Sequence, residues 1–162
     1  MARLHEVISY AIRDMTPADL ARHPEGKWSS AEILEHLNLT YTGTIKGLER
    51  CLAAGAPRAT ADRKKTRWRR LLITRLGYFP GGRKSPDRVL PRGMPAEQVV
   101  SEIFDNINRM DDVITRCESH FSARRPIADH PILGPLTAQE WRGFHAAHGK
   151  HHARQILKLR QA

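Results

Sequence analysis

Residues 137 to 160 read TAQEWRGFHAAHGKHHARQILKLR, and the spacing within this stretch decides how the rest of the chain is read. Thr137-Ala138-Gln139-Glu140 has the form of a capping box, in which a threonine caps the first turn and the glutamate three residues later reaches back to it. No proline interrupts the roughly 24 residues from Thr137 to Arg160, enough for a helix of ~36 Å. Four histidines fall within eight positions: His145, His148, His151 and His152. At about 100° per residue His148 and His152 stand about 40° apart, and Gln155, Trp141, Phe144 and Leu159 share their arc, which marks it as the inward face. His148 and His152 are thus the best i,i+4 pair, a spacing that lets two imidazoles reach one metal ion. His145 and His151 lie about 60° to either side, and each could replace one ligand.

Other helices are legible outward from this one. Leu4 to Arg13 places Leu4, Val7, Ile8, Ala11 and Ile12 at helical spacing. Ser29-Ser30-Ala31-Glu32 is a second capping box and opens a helix from about Ser30 to Ala54, with an apolar stripe of Ile33, Leu37, Tyr41, Ile45, Leu48 and Leu52. Pro95 starts a third, through Val99, Ile103, Ile107, Met110, Ile114 and Cys117. Lys64 to Leu76 could form a helix with Trp68, Leu71, Leu72 and Leu76 on one side. Pro80, Gly81, Gly82, Pro86, Pro91 and Gly93 then predict an irregular loop, as do Pro126, Pro131, Gly134 and Pro135 later. Almost nothing reads as a strand. The expected fold is all-α: a four-helix bundle, one domain over residues 1–162, with a long crossover at 58–95.

The 162 residues carry a formal net charge of +10. All of that excess lies between Arg58 and Arg92, where twelve basic side chains face two acidic ones, Asp62 and Asp87. The other 127 residues hold 15 bases and 15 acids, so the high charge describes one segment and not the whole surface. No run approaches the ~18 to 20 apolar residues of a membrane helix, and no apolar stretch follows the early arginine as a secretory signal would require. Two separated cysteines, Cys51 and Cys117, fit reduced thiols, and the cytoplasm is the expected compartment.

A metal ion needs a ligand from a second helix. His36 is the histidine of the Ser30–Ala54 helix and lies on or beside its apolar stripe, where an ionisable ring is costly unless paired or metal-bound. Three imidazoles with an open position suit a catalytic divalent site: Zn or Ni first, with Fe, Co or Mn also compatible. The plainer alternative is a solvated histidine-rich helix end and a hydrogen-bonded His36. Glu32 is a geometric candidate for a general base, although capping already explains it. Glu35 and Glu140 are expected to be accounted for by solvent exposure and capping, Arg154 could hold an anion or complement the helix end, and Gln155 could hydrogen-bond a ligand.

Three strings fit together: Trp28-Ser29-Ser30-Ala31-Glu32-Ile33-Leu34-Glu35-His36-Leu37, then His130-Pro131-Ile132-Leu133-Gly134-Pro135-Leu136-Thr137-Ala138-Gln139-Glu140-Trp141, then His145 through Ile156. The combination resembles the DinB/YfiT-like superfamily of metal-dependent enzymes, and within it a subgroup whose C-terminal half reads HP..G.LT..EW...H..H..HH.RQ. The resemblance implies an up-down-down-up bundle with three histidine ligands, here His36, His148 and His152. It also implies a hydrolase or a transferase using a low-molecular-weight thiol cosubstrate. It is silent on residues 55–95. The expected partner is a small, anionic molecule; a homodimer is compatible with the chain. A non-catalytic module binding nucleic acid or an anionic surface through residues 58–92 is the competing class. It lacks a nucleic-acid motif, and the favoured account of that segment is a solvated crossover with Trp68, Leu71 and Leu72 packed inward.

Overall fold

A computed structural model of the chain describes residues 1–23, 25–78 and 85–161. The fold is mostly helical: α1 (Ala2–Ala11), α2 (Pro17–Ala21), α3 (Ser30–Ala53), α4 (Arg67–Leu76), a 3-10 turn at Asp87–Val89, α5 (Ala96–Phe121) and α6 (Ala138–Leu159). Pro24, and the part of the expected loop formed by Pro80, Gly81 and Gly82 with the bases Arg83 and Lys84, lie outside the described residues. None of the described helices is long and apolar enough to cross a membrane.

Both long capping boxes form as the sequence predicts. Ser29 Oγ accepts from the Glu32 amide at 3.2 Å while Glu32 Oε2 accepts from the Ser29 amide at 2.8 Å. Thr137 and Glu140 make the same reciprocal pair at the start of α6. Each box satisfies two of the donors that a helix start otherwise leaves without partners. A third box, Thr16 with Asp19, starts α2 inside what the sequence offers as a loop. The short stripe there carries one buried side chain, Leu20, too little to generate a period.

α3 packs along α5, and α6 packs against α1, α4, α3 and α5. The predicted stripes meet as a continuous core in which Ile33, Leu37, Tyr41, Ile45 and Leu48 of α3 and Val99, Ile103, Ile107, Met110 and Ile114 of α5 are buried. Burial of each such side chain contributes roughly 1.5–3 kcal/mol, so the interior needs no disulfide; Cys51 and Cys117 are both free and buried.

Two expectations are corrected. Residues 124–136 are not wholly irregular: Ala128–His130 and Gly134–Leu136 pair as antiparallel strands β1 and β2, with His130 opposite Gly134. Strands of three residues are too short to show alternation, and a side chain organises their turn. His130 Nδ1 accepts from the amides of Ile132 and Leu133 at 3.1 and 3.2 Å. Gly134 has φ +67°, and a Cβ there would lie 2.7 Å from Thr66 Oγ1, so both turn and packing require glycine. The second correction concerns α4. Trp68 is 71% exposed, and Leu71 and Leu72 also face solvent, while Arg70 and Ile73 form the buried side.

Candidate metal centre

α3 and α6 bring His36, His148 and His152 together, all three buried. His148 Nε2 lies 3.3 Å from His36 Nε2 and 3.0 Å from His152 Nε2, and the three ligand atoms lie within 4.8 Å of one another. Metal–nitrogen bonds of about 2.0–2.1 Å set ligand nitrogens roughly 3.3 Å apart in a tetrahedral site and roughly 2.9 Å apart at octahedral right angles. The two spacings to His148 fall in that range.

Proton placement sharpens the fit. His36 Nδ1 is 2.8 Å from the Val89 carbonyl, which can only accept, so Nδ1 carries the proton and Nε2 presents a lone pair. His152 Nδ1 is 2.7 Å from Gln155 Oε1 and is fixed in the same way. Two lone pairs thus converge on His148 Nε2, which in a neutral ring has at most one proton to offer. One buried acceptor in the cluster is left facing another, an arrangement costly without a cation. A divalent ion would satisfy all three nitrogens at once, and the outward donation to Val89 and Gln155 is the support that ligating imidazoles ordinarily receive.

Burial holds the rings neutral. His148 is pushed well below the ordinary histidine range by desolvation, and then by the charge His152 and His36 would carry. Desolvation takes His152 down to about 3, with His36 adding to it, and lowers His36 despite the opposing Val89 carbonyl. At neutral pH the cluster is therefore three neutral imidazoles, the state that metal ligation requires. Phe144 stacks on His148 with ring centroids 5.2 Å apart, and Trp28 lies 5.3 Å from His36.

The three rings open into a cleft of about 1270 Å³ whose walls come from α3, α4, the 3-10 turn, β1 and α6. Arg69, Arg88, Tyr78 and His130 line it, so the crossover forms part of the site. His130 is held down to about 4, by burial first and by Arg88 second.

Other sequence candidates fall into place around this centre. Gln155 bonds the His152 ring. His145 is fully buried, turned to Thr44 Oγ1 at 3.1 Å, and stands outside the cluster, as does the half-buried His151. Glu32 is occupied by capping Ser29 and by His23 Nδ1 at 3.5 Å. Arg154 is exposed.

Glu35 is a correction. It is 2% exposed, and its carboxylate accepts from the amides of Arg92, Gly93 and Met94 at 2.9, 3.1 and 3.0 Å. Sequence reasoning also missed Val89, which acts through its backbone and so leaves no trace in residue identity. For Glu35 a signal existed: it neighbours His36 on a helix whose stripe is inward at that turn.

A family model described as "Protein of unknown function (DUF1569)" matches residues 11–159 of the chain. No curated protein and no solved structure matches it.

Proposed function

The chain belongs to the family described as protein of unknown function (DUF1569), and from that premise we propose that it is a divalent-metal-dependent enzyme of the DinB/YfiT-like class. Its ligands are His36, His148 and His152, and its reaction is a hydrolysis or a thiol-dependent S-transfer. The bundle assigned to it is up-down-down-up, formed by α1, α3, α5 and α6. The observation that carries this reading is the convergence of two lone pairs of fixed tautomer on a third buried imidazole. Three protein ligands leave room for a further one, and Zn or Ni suits the all-nitrogen set best.

When bound, a divalent cation supplies Lewis acidity, lowering the pKa of a coordinated water or thiol toward neutrality. The chain's own residues do the rest. Val89 and Gln155 hold two rings in the ligating tautomer, and Phe144 and Trp28 wall the site with apolar surface. Arg69 and Arg88 line the cleft beyond the rings and would hold the negative charge of a small anionic substrate. The protein acts on that substrate as a single cytoplasmic domain.

Metal analysis tests this. Protein purified without chelators should carry close to one equivalent of Zn or Ni, and His148→Ala should carry almost none. Loaded protein is then screened with low-molecular-weight thiols paired with electrophiles, and with simple esters and amides. Wild-type protein that is metal-free and takes up neither Zn nor Ni would overturn the proposal.

A further inference from the structure

α4 carries its apolar side outward. At about 100° per residue Trp68, Leu71, Leu72, Arg75 and Leu76 occupy an arc of about 140°, with Arg67 and Arg69 at its two margins. Trp68 and Leu76 are 71% and 70% exposed, and Tyr78, just beyond the Gly77 cap, is 60% exposed. The helix contains no acidic residue.

This orientation is enforced. Arg70, on the opposite side, is buried, and its Nε lies 3.1 Å from Glu140 Oε1 at the start of α6. Its Nη1 also donates to Thr66 Oγ1 at 3.0 Å and to the Arg63 carbonyl at 3.2 Å. Behind it α4 approaches α6 so closely that a Cβ on Gly143 would lie 2.8 Å from the Thr74 carbonyl oxygen. Turning α4 over would bury Trp68 and Leu76 and release a guanidinium to water, the arrangement that desolvation alone would favour. The fold adopts the other one, so presentation of the Trp and Leu side chains is built in.

We propose that the outer face of α4 docks reversibly on an anionic lipid bilayer. A tryptophan and three leucines bordered by arginines match an interface with hydrocarbon below and phosphate at its rim: the rings and aliphatic chains sink between headgroups while Arg67 and Arg75 reach sideways to phosphate. A second copy would set cation against cation, Arg75 lying within the stripe itself. Nucleic acid would use the charge and the one indole, but it offers the leucines nothing. A ten-residue helix buries little, so docking is weak and salt-dependent. It is independent of the metal centre, although Arg69 and Leu72 also line the cleft, which puts the cleft mouth beside the docked face.

The test is co-sedimentation of the full chain with vesicles of phosphatidylcholine alone and with phosphatidylglycerol added. Binding is expected only to the anionic vesicles, falling as salt rises, with a blue shift in tryptophan emission that Trp68→Phe removes. Trp68→Ser combined with Leu76→Ser, neither lining the cleft, should lower the vesicle partition more than about tenfold while leaving the circular-dichroism melt unchanged. Arg67→Gln with Arg75→Gln should flatten the salt dependence. Four results overturn the proposal: no preference for anionic vesicles; a serine double variant that binds like wild type; a wild-type dimer that the double variant dissociates, which assigns the face to a second copy; or a DNA duplex that displaces the vesicles and is itself lost on the same substitutions.

Discussion

Replacing Glu35 by glutamine probes the link between the crossover and the proposed metal centre. The carboxylate takes one amide on Oε1 (Arg92) and two on Oε2 (Gly93 and Met94). A glutamine can keep an oxygen on one side only, so its NH2 group must face at least one backbone N–H. A hydrogen bond to a charged acceptor is worth about 1.5–3 kcal/mol, and a donor set against a donor forfeits it. Arg92 and Gly93 are exposed and water can reach their amides, which puts the net loss near 2 kcal/mol. For a chain of this size that lowers the melting temperature of metal-free protein by about 4–8 °C. The same substitution unpins residues 92–94, three to five positions after the Val89 carbonyl that orients His36. Loss of such support typically weakens metal binding about 10–100-fold. Thermal melts of apo-protein and chelator competition with Zn measure the two effects separately. A melting shift under about 1 °C together with an unchanged Zn affinity would refute the claim that Glu35 fastens the crossover to the site.

Two further predictions separate the site from the scaffold. Gln155→Leu removes the acceptor from His152 Nδ1 and should weaken Zn binding about tenfold, yet leave the apo melt nearly unchanged because Gln155 is exposed; equal affinity would show that His152 needs no such support. His145 is held down to about 3, by burial first and His130 second, and His130 to about 4, again mainly by burial. Between those values and the ordinary ~6.5 the unfolded chain binds protons that the folded chain refuses, so stability rises with pH there, by up to about 1.4 kcal/mol per pH unit from each ring. The contribution is complete above about pH 7 and is lost as pH falls toward 4. Urea midpoints of apo-protein at pH 7.5, 6 and 5 should therefore decline in order, and a flat series would show that neither ring is held neutral by the fold.

What the sequence made legible is what repeats or what caps. The stripes of α3, α5 and α6 follow a 3.6-residue period over more than five turns each, and the serine and threonine boxes mark where two of these helices begin. The three converging histidines were readable because an i,i+4 pair on an inward arc demands a partner ring on another buried stripe. What escaped depends on backbone groups or on single long-range pairs. Nothing in the residue type of Val89 shows that its carbonyl meets His36, and nothing in a spacing shows that Glu35 will find three amides nearly sixty positions away. α4 misled for an energetic reason. Its composition favours Trp68 and Leu71 inside, but Glu140 has a second role beyond capping, and that tips the choice. Arg63 holds Glu140 in a bidentate pair at 2.7 and 2.9 Å, and Arg70 adds a third contact.

That last cluster changes the meaning of the crossover's charge. Two of its twelve bases, Arg63 and Arg70, lock onto the carboxylate that caps α6, the helix supplying His148 and His152. Through Val89 and residues 92–94 the same crossover grips α3 at His36 and Glu35. A segment that composition sets apart thus braces both histidine-bearing helices, at the cap of one and beside His36 on the other. Bracing of this kind accounts for two of the crossover's bases but not for its high charge, since two arginines suffice for Glu140. Five of the other bases take up two positions: Arg69, Arg88 and Arg92 line the cleft, while the exposed Arg67 and Arg75 lie with Trp68 and Leu76 on the outer side of α4. On the two readings proposed above, the cleft arginines answer to an anion inside the cleft and the outer ones to an anionic surface. Neutralising Arg67 and Arg75 should therefore disturb the second and spare the first.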